Sequence, residues 1–270
     1  VSASLGIMLC AVWLGATQEQ GVGAQEASAA RAPGPSDPVE LGAFLDGVIA
    51  AQLKATGTPG ATVAVVRNGR VLYSRGHGYA DLEQRRPVGD ETLFRIGSIS
   101  KLFTWTAVMQ LAEQGRLELD ADVNSYLKGF QLPATYPEPI TLRHLMSHTA
   151  GFEANDVGGL LQDASGLEPL GQVLARDIPA RVRPPGVAAS YSNYGAALAG
   201  LVVEQVSGRP FEVYIEEAIL KPLDMRHSTF RQPPPPGLAE KLATGYVQVA
   251  GTGWAGREAS STSPRSRMAR

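Results

Sequence analysis

Apolar residues recur at helical spacing at Leu41, Leu45, Val48 and Ile49. Asp37-Pro38 stands just before them as an N-cap followed by proline at the first helical position, which predicts a helix reaching about Gln52. Thr56-Gly57-Thr58-Pro59-Gly60 ends it. Two short β-branched runs follow, Ala61–Val66 and Val71–Ser74, and Asn68-Gly69 between them predicts a type I′ hairpin. Residues 76–91 are glycine-rich and polar and read as loop. The pattern then changes: Leu102, Phe103, Trp105, Ala107, Val108, Met109 and Leu111 leave no polar side, which predicts one long helix buried all round and stopped at Gly115.

Further on, Thr141 caps a short helix, Leu142–Ser147, that runs into His148-Thr149-Ala150-Gly151. Residues 152–167 read as a surface loop, Val173-Leu174-Ala175 as another short helix, and Arg183-Pro184-Pro185-Gly186 as a forced turn. A small-residue apolar helix is predicted from Gly195 to Val206, broken by Ser207-Gly208-Arg209-Pro210, and a last one over Phe211–Leu220. Pro233–Pro236 reads as a polyproline spacer and Tyr246–Val249 as a strand. Helix, hairpin, long helical block and a return to strand predict an α/β (α+β) chain: a sheet lobe into which a helical lobe is inserted.

Composition narrows the class. With 44% hydrophobic residues, 19% charged and a net charge of −2, the chain is ordinary for a globular protein and carries no electrostatic footprint for nucleic acid. Arg257, Arg265, Arg267 and Arg270 form a short tail, not a basic face. Leu5–Leu14 is apolar but too short to span a bilayer, and Val22-Gly23-Ala24 is a small-x-small cleavage pattern. Residues 1–24 therefore read as a secretory signal peptide and residues 25–36 as a flexible spacer, so the protein is expected to be exported to a periplasmic or extracellular compartment. Cys10 is the only cysteine, so after cleavage no disulfide, cysteine nucleophile or cysteine metal site is available.

The polar exception in the apolar helix is its start. Ser98 and Lys101, three residues apart, lie one turn from each other on one face, whereas Ser100 is about 100° away from Lys101 and the poorer partner. A lysine amine at the mouth of an apolar core can take a proton from a hydroxyl, and a helix N-terminus favours negative charge developing on Ser98. His144 and His148 have zinc-ligand spacing, but Leu145 stands where a metalloprotease glutamate belongs and no acidic cluster supplies a third ligand. They read as structural histidines, and no metal or other cofactor is expected. No G-x-S-x-G elbow is present, which leaves an α/β-hydrolase without a nucleophile.

Ser98-Ile99-Ser100-Lys101 and, about ninety residues later, Tyr191-Ser192-Asn193 match in order and spacing the S-x-x-K and Y-x-N motifs of serine β-lactamase-related proteins. Flanking stretches match too: Gly78-Tyr79-Ala80-Asp81-Leu82, Thr92–Ser98, Leu145–Gly151 and Pro185-Gly186. From about residue 39 to 249 the chain resembles class C β-lactamases, D-Ala-D-Ala peptidases, D-aminopeptidases and related esterases. The resemblance implies a penicillin-binding-protein-like fold in which Ser98 attacks a carbonyl and forms an acyl-enzyme. It implies that Lys101 and Tyr191 carry the proton, and that Asn193 donates to the substrate amide and positions Lys101. The implied substrate is a small molecule or peptide, a cell-wall fragment among the candidates, with a β-lactam, amide or ester bond.

The family's third motif, Lys or His followed by Thr, Ser or another residue and then Gly, is not matched downstream. Neither Leu242-Ala243-Thr244-Gly245 nor Ala250-Gly251-Thr252-Gly253 carries the basic residue. The expectation is thus an incomplete domain over residues 37–255, with its helical lobe at about 92–230, an irregular tail at 256–270, and the last strands and C-terminal helix missing. A relative that binds cell-wall peptide or a partner protein without turnover is the alternative.

Overall fold

The computed structural model describes residues 37–153, 167–249 and 253–257. The expected signal peptide, the spacer, most of the loop at 152–167 and most of the tail lie outside the described residues.

The first helix, α1 (Pro38–Thr56), starts as its sequence predicts, with the Asp37 carboxylate accepting from the N–H groups of Val39 (2.9 Å) and Glu40 (3.0 Å). It runs four residues past Gln52 and stops at Gly57, whose φ of 65° is left-handed. β1 (Gly60–Arg67) and β2 (Arg70–Asp81) form the expected hairpin around Asn68 and Gly69, at φ 52° and 72°. Their register pairs Arg67 with Arg70 and Val65 with Tyr73, with a bulge between Val65 and Val66.

Half of the loop expected at 76–91 is strand. β2 continues through Asp81, and β3 (Arg86–Pro87) adds a third antiparallel strand in the order β1-β2-β3. The glycines that resemble loop punctuation sit where backbones crowd. A Cβ on Gly76 would lie 2.3 Å from the Val88 carbonyl oxygen; one on Gly78, already at φ 68°, would lie 2.2 Å from that of Pro59. Glycine in a strand marks such close approach as readily as it marks a turn.

α2 (Ser100–Glu113) ends in a Schellman motif: Gly115 N–H bonds to Ala112 O (2.9 Å) and Arg116 N–H to Leu111 O (3.0 Å). It is not buried all round. Thr104, Ala107, Val108 and Leu111 make one buried stripe, while Leu102 is 62% and Met109 46% exposed. An apolar helix surface states which residues tolerate burial; the neighbours decide which are covered, and here these are α5 and α6.

The helical lobe is completed by α3 (Leu142–Met146), α4 (Leu170–Arg176), α5 (Asn193–Ser207) and α6 (Phe211–Ile215), the last continued by a π-turn over Glu216–Leu220. α5 is the axis of the lobe: Tyr194, Leu198, Leu201, Val202 and Val203 are buried with Val108, Leu111, Leu142, Leu145, Phe152 and Ile215 in one apolar cluster. The Tyr194 hydroxyl is satisfied inside it, donating to Leu174 O (2.9 Å).

After the lobe, α7 (Pro236–Ala239) occupies the end of the proline-rich stretch, and the chain returns to the sheet. Across this return Leu93 N–H donates to Lys241 O (2.9 Å) and Ala243 N–H to Leu93 O (2.8 Å), Thr244 N–H donates to Ala80 O (2.9 Å), and the Thr244 hydroxyl donates to Asp81 (2.7 Å). β4 (Gly245–Val249) matches the predicted strand, and β5 (Gly253–Arg257) pairs with it, entering the stretch expected to be irregular. The helical lobe is therefore an insertion between strands, as the order of elements predicts. No helix among the described residues is long and apolar enough to cross a membrane.

Candidate active site

Ser98 lies in a single 3₁₀ turn, Gly97–Ile99, that feeds directly into α2. Gly97 adopts φ 53°, which bends the chain sharply before the helix and leaves Ser98 exposed at its N-terminus. Lys101 follows one turn later and reaches back, its Nζ donating to Ser98 Oγ at 3.2 Å.

Tyr191 and Asn193 arrive from the other side of the lobe. The segment before α5 is pinned by the α3 exit turn: Gly186 N–H donates to Thr149 O (2.8 Å), Ser190 N–H to His148 O (2.7 Å) and Ser192 N–H to His148 Nδ1 (3.2 Å). Ser192 in turn caps α5, accepting from Gly195 N–H (3.0 Å). Held on both flanks, Tyr191 projects its phenol to Ser98, donating to Oγ at 2.6 Å, with the Lys101 ammonium 4.8 Å from its ring centroid. Asn193, first residue of α5, accepts from Lys101 Nζ through Oδ1 at 2.9 Å.

The structure thus brings all four predicted residues together, across 93 residues of chain between Ser98 and Tyr191 and 92 between Lys101 and Asn193. Burial raises the Tyr191 pKa, but hydrogen bonding with Lys101 and Ser98 and the lysine charge outweigh it and hold the phenol below its ordinary value. A hydroxyl in contact with both an amine and a phenol of this kind has two routes for its proton.

The two histidines serve the fold. His144 Nδ1 accepts from Thr141 N–H (3.3 Å) in a capping box at the start of α3. His148, at φ 57°, lies against Tyr191 with ring centroids 4.4 Å apart and meets Trp105 edge-on. Burial holds both imidazoles below the ordinary histidine value, reinforced at His148 by the Lys101 charge. Among the described residues no group of three or more His, Cys, Asp or Glu is placed to hold a metal ion. Sequence reasoning places His148 in a tight turn but not against Tyr191; the H-T-A-G flank was the only signal for it.

Antiparallel strands on either side of an inserted helical lobe, with serine, lysine and tyrosine meeting at two helix starts, are the β-lactamase and penicillin-binding-protein-like fold. The chain belongs to the family described as Beta-lactamase, whose model matches residues 45–262. It is 30% identical over 191 residues to Protein flp of Staphylococcus aureus (strain N315), covering 70% of this chain and 38% of that protein. It is 32% identical over 223 residues to esterase EstB of Burkholderia gladioli, covering 78% of this chain and 56% of EstB. The octameric penicillin-binding protein homologue of Pyrococcus abyssi superposes with a TM-score of 0.69 at 31% identity, over 80% of this chain and 50% of that one. The chain thus spans well under two thirds of the length of these relatives.

Proposed function

We propose that the protein is an exported serine acyl hydrolase that works through an acyl-Ser98 intermediate on an ester, amide or β-lactam bond. The observation that carries the reading is the approach of Lys101 Nζ (3.2 Å) and Tyr191 OH (2.6 Å) to one Ser98 oxygen. With the pair one proton short, a state the lowered Tyr191 phenol favours, Ser98 Oγ attacks the substrate carbonyl carbon as its proton passes to the Lys101–Tyr191 pair. The same pair returns that proton to the leaving amine or alcohol as the bond to the carbonyl carbon breaks. Water then adds to the acyl carbon, giving a proton to the pair; Ser98 departs, regains the proton, and the carboxylic acid leaves. Asn193 keeps the lysine aligned, and the positive end of α2 favours the oxyanion that forms beside Ser98. EstB is called an esterase, which makes short-chain esters the first substrates to try. Export rests on the apolar run Leu5–Leu14 with Val22-Gly23-Ala24 behind it.

The test is labelling with a fluorophosphonate and with a fluorescent penicillin. The expected result is one adduct on the folded parent, lost in Ser98→Ala. No adduct on a folded preparation, or one that survives Ser98→Ala, removes Ser98 from the mechanism. The competing reading, peptide binding without turnover, is motivated by Leu242-Ala243-Thr244-Gly245, which lacks the basic residue of the family's third motif. Retention on peptidoglycan with no Ser98-dependent hydrolysis would favour it.

A further inference from the structure

We propose that His148 is the positioning residue for Tyr191, holding the phenol on Ser98 through its neutral imidazole and its own backbone. The inference rests on the acyl-hydrolase reading for its kinetic consequence, while the geometry behind it stands separately.

One residue grips both neighbours of Tyr191. The His148 carbonyl accepts from Ser190 N–H at 2.7 Å and its Nδ1 accepts from Ser192 N–H at 3.2 Å. The imidazole also covers the phenol ring, with centroids 4.4 Å apart and planes inclined by 31°. Tyr191 is itself 53% exposed, so packing alone does not hold its side chain. The left-handed backbone of His148, φ 57°, is what turns carbonyl and ring toward the same segment. Non-glycine residues other than Asn, Asp and His seldom adopt this conformation.

The bond to Ser192 fixes the protonation state. A backbone N–H can only donate, so Nδ1 must carry no proton and the ring is the neutral Nε2–H tautomer. Protonation would set an N–H against an N–H and place a second cation near Lys101. The titratable groups facing the imidazole are Lys101 from α2 and Tyr191 itself; Trp105 of α2 contributes an edge without charge, and His144 lies four residues back on the same segment. Burial, then the Lys101 charge, disfavour the imidazolium and keep the grip intact below the ordinary histidine value. Acidification therefore releases Tyr191 only once His148 takes a proton.

His148→Asn and His148→Ala separate these contributions. Asn tolerates the left-handed backbone, offers Oδ1 in place of Nδ1 and does not titrate; Ala offers no acceptor and is strained. In His148→Ala the rate of Ser98 acylation should fall on the order of 10²-fold, the cost typical of a reacting group displaced by an ångström. His148→Asn should recover most of it at neutral pH, and the acid limb of its rate profile should move to lower pH. Parental rates in His148→Ala, or an unshifted acid limb in His148→Asn, would overturn the proposal.

Two readouts need no turnover and remain decisive if Ser98 proves unreactive. Imidazole nitrogen NMR at neutral pH should show His148 as the Nε2–H tautomer, and an Nδ1–H tautomer or an imidazolium would overturn it. Ultraviolet titration of the phenol, taken against Tyr191→Phe, should show Tyr191 returning toward the ordinary tyrosine value of about 10 in His148→Ala and staying depressed in His148→Asn. A phenol that stays depressed in His148→Ala would sink the proposal whether or not the acyl-hydrolase reading holds.

Discussion

The two lobes are held together by different physics. In the helical lobe Leu111, Leu142, Leu145, Phe152, Leu174, Leu198 and Ile215 are fully buried in one cluster that α5 runs through. In the sheet lobe α1 has no buried residue at all, and Val39, Phe44 and Val48 face outward. What ties α1 to β2 is polar: Tyr73 donates to Asp46 at 2.6 Å, Arg75 pairs with the same carboxylate, and His77 lies 2.8 Å from the Tyr73 hydroxyl. The candidate site belongs wholly to the well-packed side. Ser98 and Lys101 ride on α2, Tyr191 and Asn193 on the start of α5, and α2 packs on α5. The separation lets chemistry and stability be perturbed independently, the candidate groups standing on a rigid scaffold.

That contrast can be broken most strongly at the site. Lys101→Ala and Lys101→Arg should each lower Ser98-dependent turnover by about 10²–10⁴-fold, because arginine keeps the charge but cannot accept a proton. Thermal unfolding should barely move, since Lys101 is only partly buried. An Arg variant with parental turnover would reduce Lys101 to a charge.

The next effect is on stability. Leu198→Ala, in the middle of α5, should lower the unfolding free energy by about 2–5 kcal/mol, whereas Phe44→Ala on α1, a residue 58% exposed, should stay within about 0.5 kcal/mol. Urea unfolding of the two variants measures the difference, and equal losses would erase the distinction between the lobes. Tyr194→Phe should fall between them, at about 1–3 kcal/mol, because it strands the Leu174 carbonyl in the core.

The smallest effect is a pH dependence confined to the sheet lobe. The hydrogen bond from Tyr73 comes first, and with Arg75 it outweighs partial desolvation to hold the Asp46 carboxyl below its ordinary value. A depressed carboxyl binds its proton more readily in the unfolded chain. Its contribution is therefore complete above the ordinary carboxylate pKa and is lost as pH falls through the lower folded value. Asp46→Asn should flatten that part of the urea midpoint curve at acid pH and leave the midpoint near pH 7 only slightly reduced. Parallel curves for parent and variant would remove Asp46 from the acid response.

Local chemistry was legible wherever the responsible residues are neighbours in sequence. Asp37-Pro38, Asn68-Gly69, Thr141 and Gly115 each determine a cap or turn within a few residues, and each stands where its type requires. The one-turn spacing of Ser98 and Lys101 is likewise a property of any helix start. Their meeting with Tyr191 and Asn193 is not: spacing along the chain carries no distance, and only resemblance to a family joined the two motifs beforehand. Tertiary structure alone decided the rest. It turned Gly76 and Gly78 from apparent loop into strand, because they pair with Thr62 and Gly60 of β1 where Val88 and Pro59 leave no room for a Cβ. It left Leu102 and Met109 exposed on a helix whose composition permitted burial on every side, because α5 and α6 cover only one stripe. It also seated His148 on Tyr191, a contact between a turn and a segment 43 residues apart that hydrophobic periodicity does not encode.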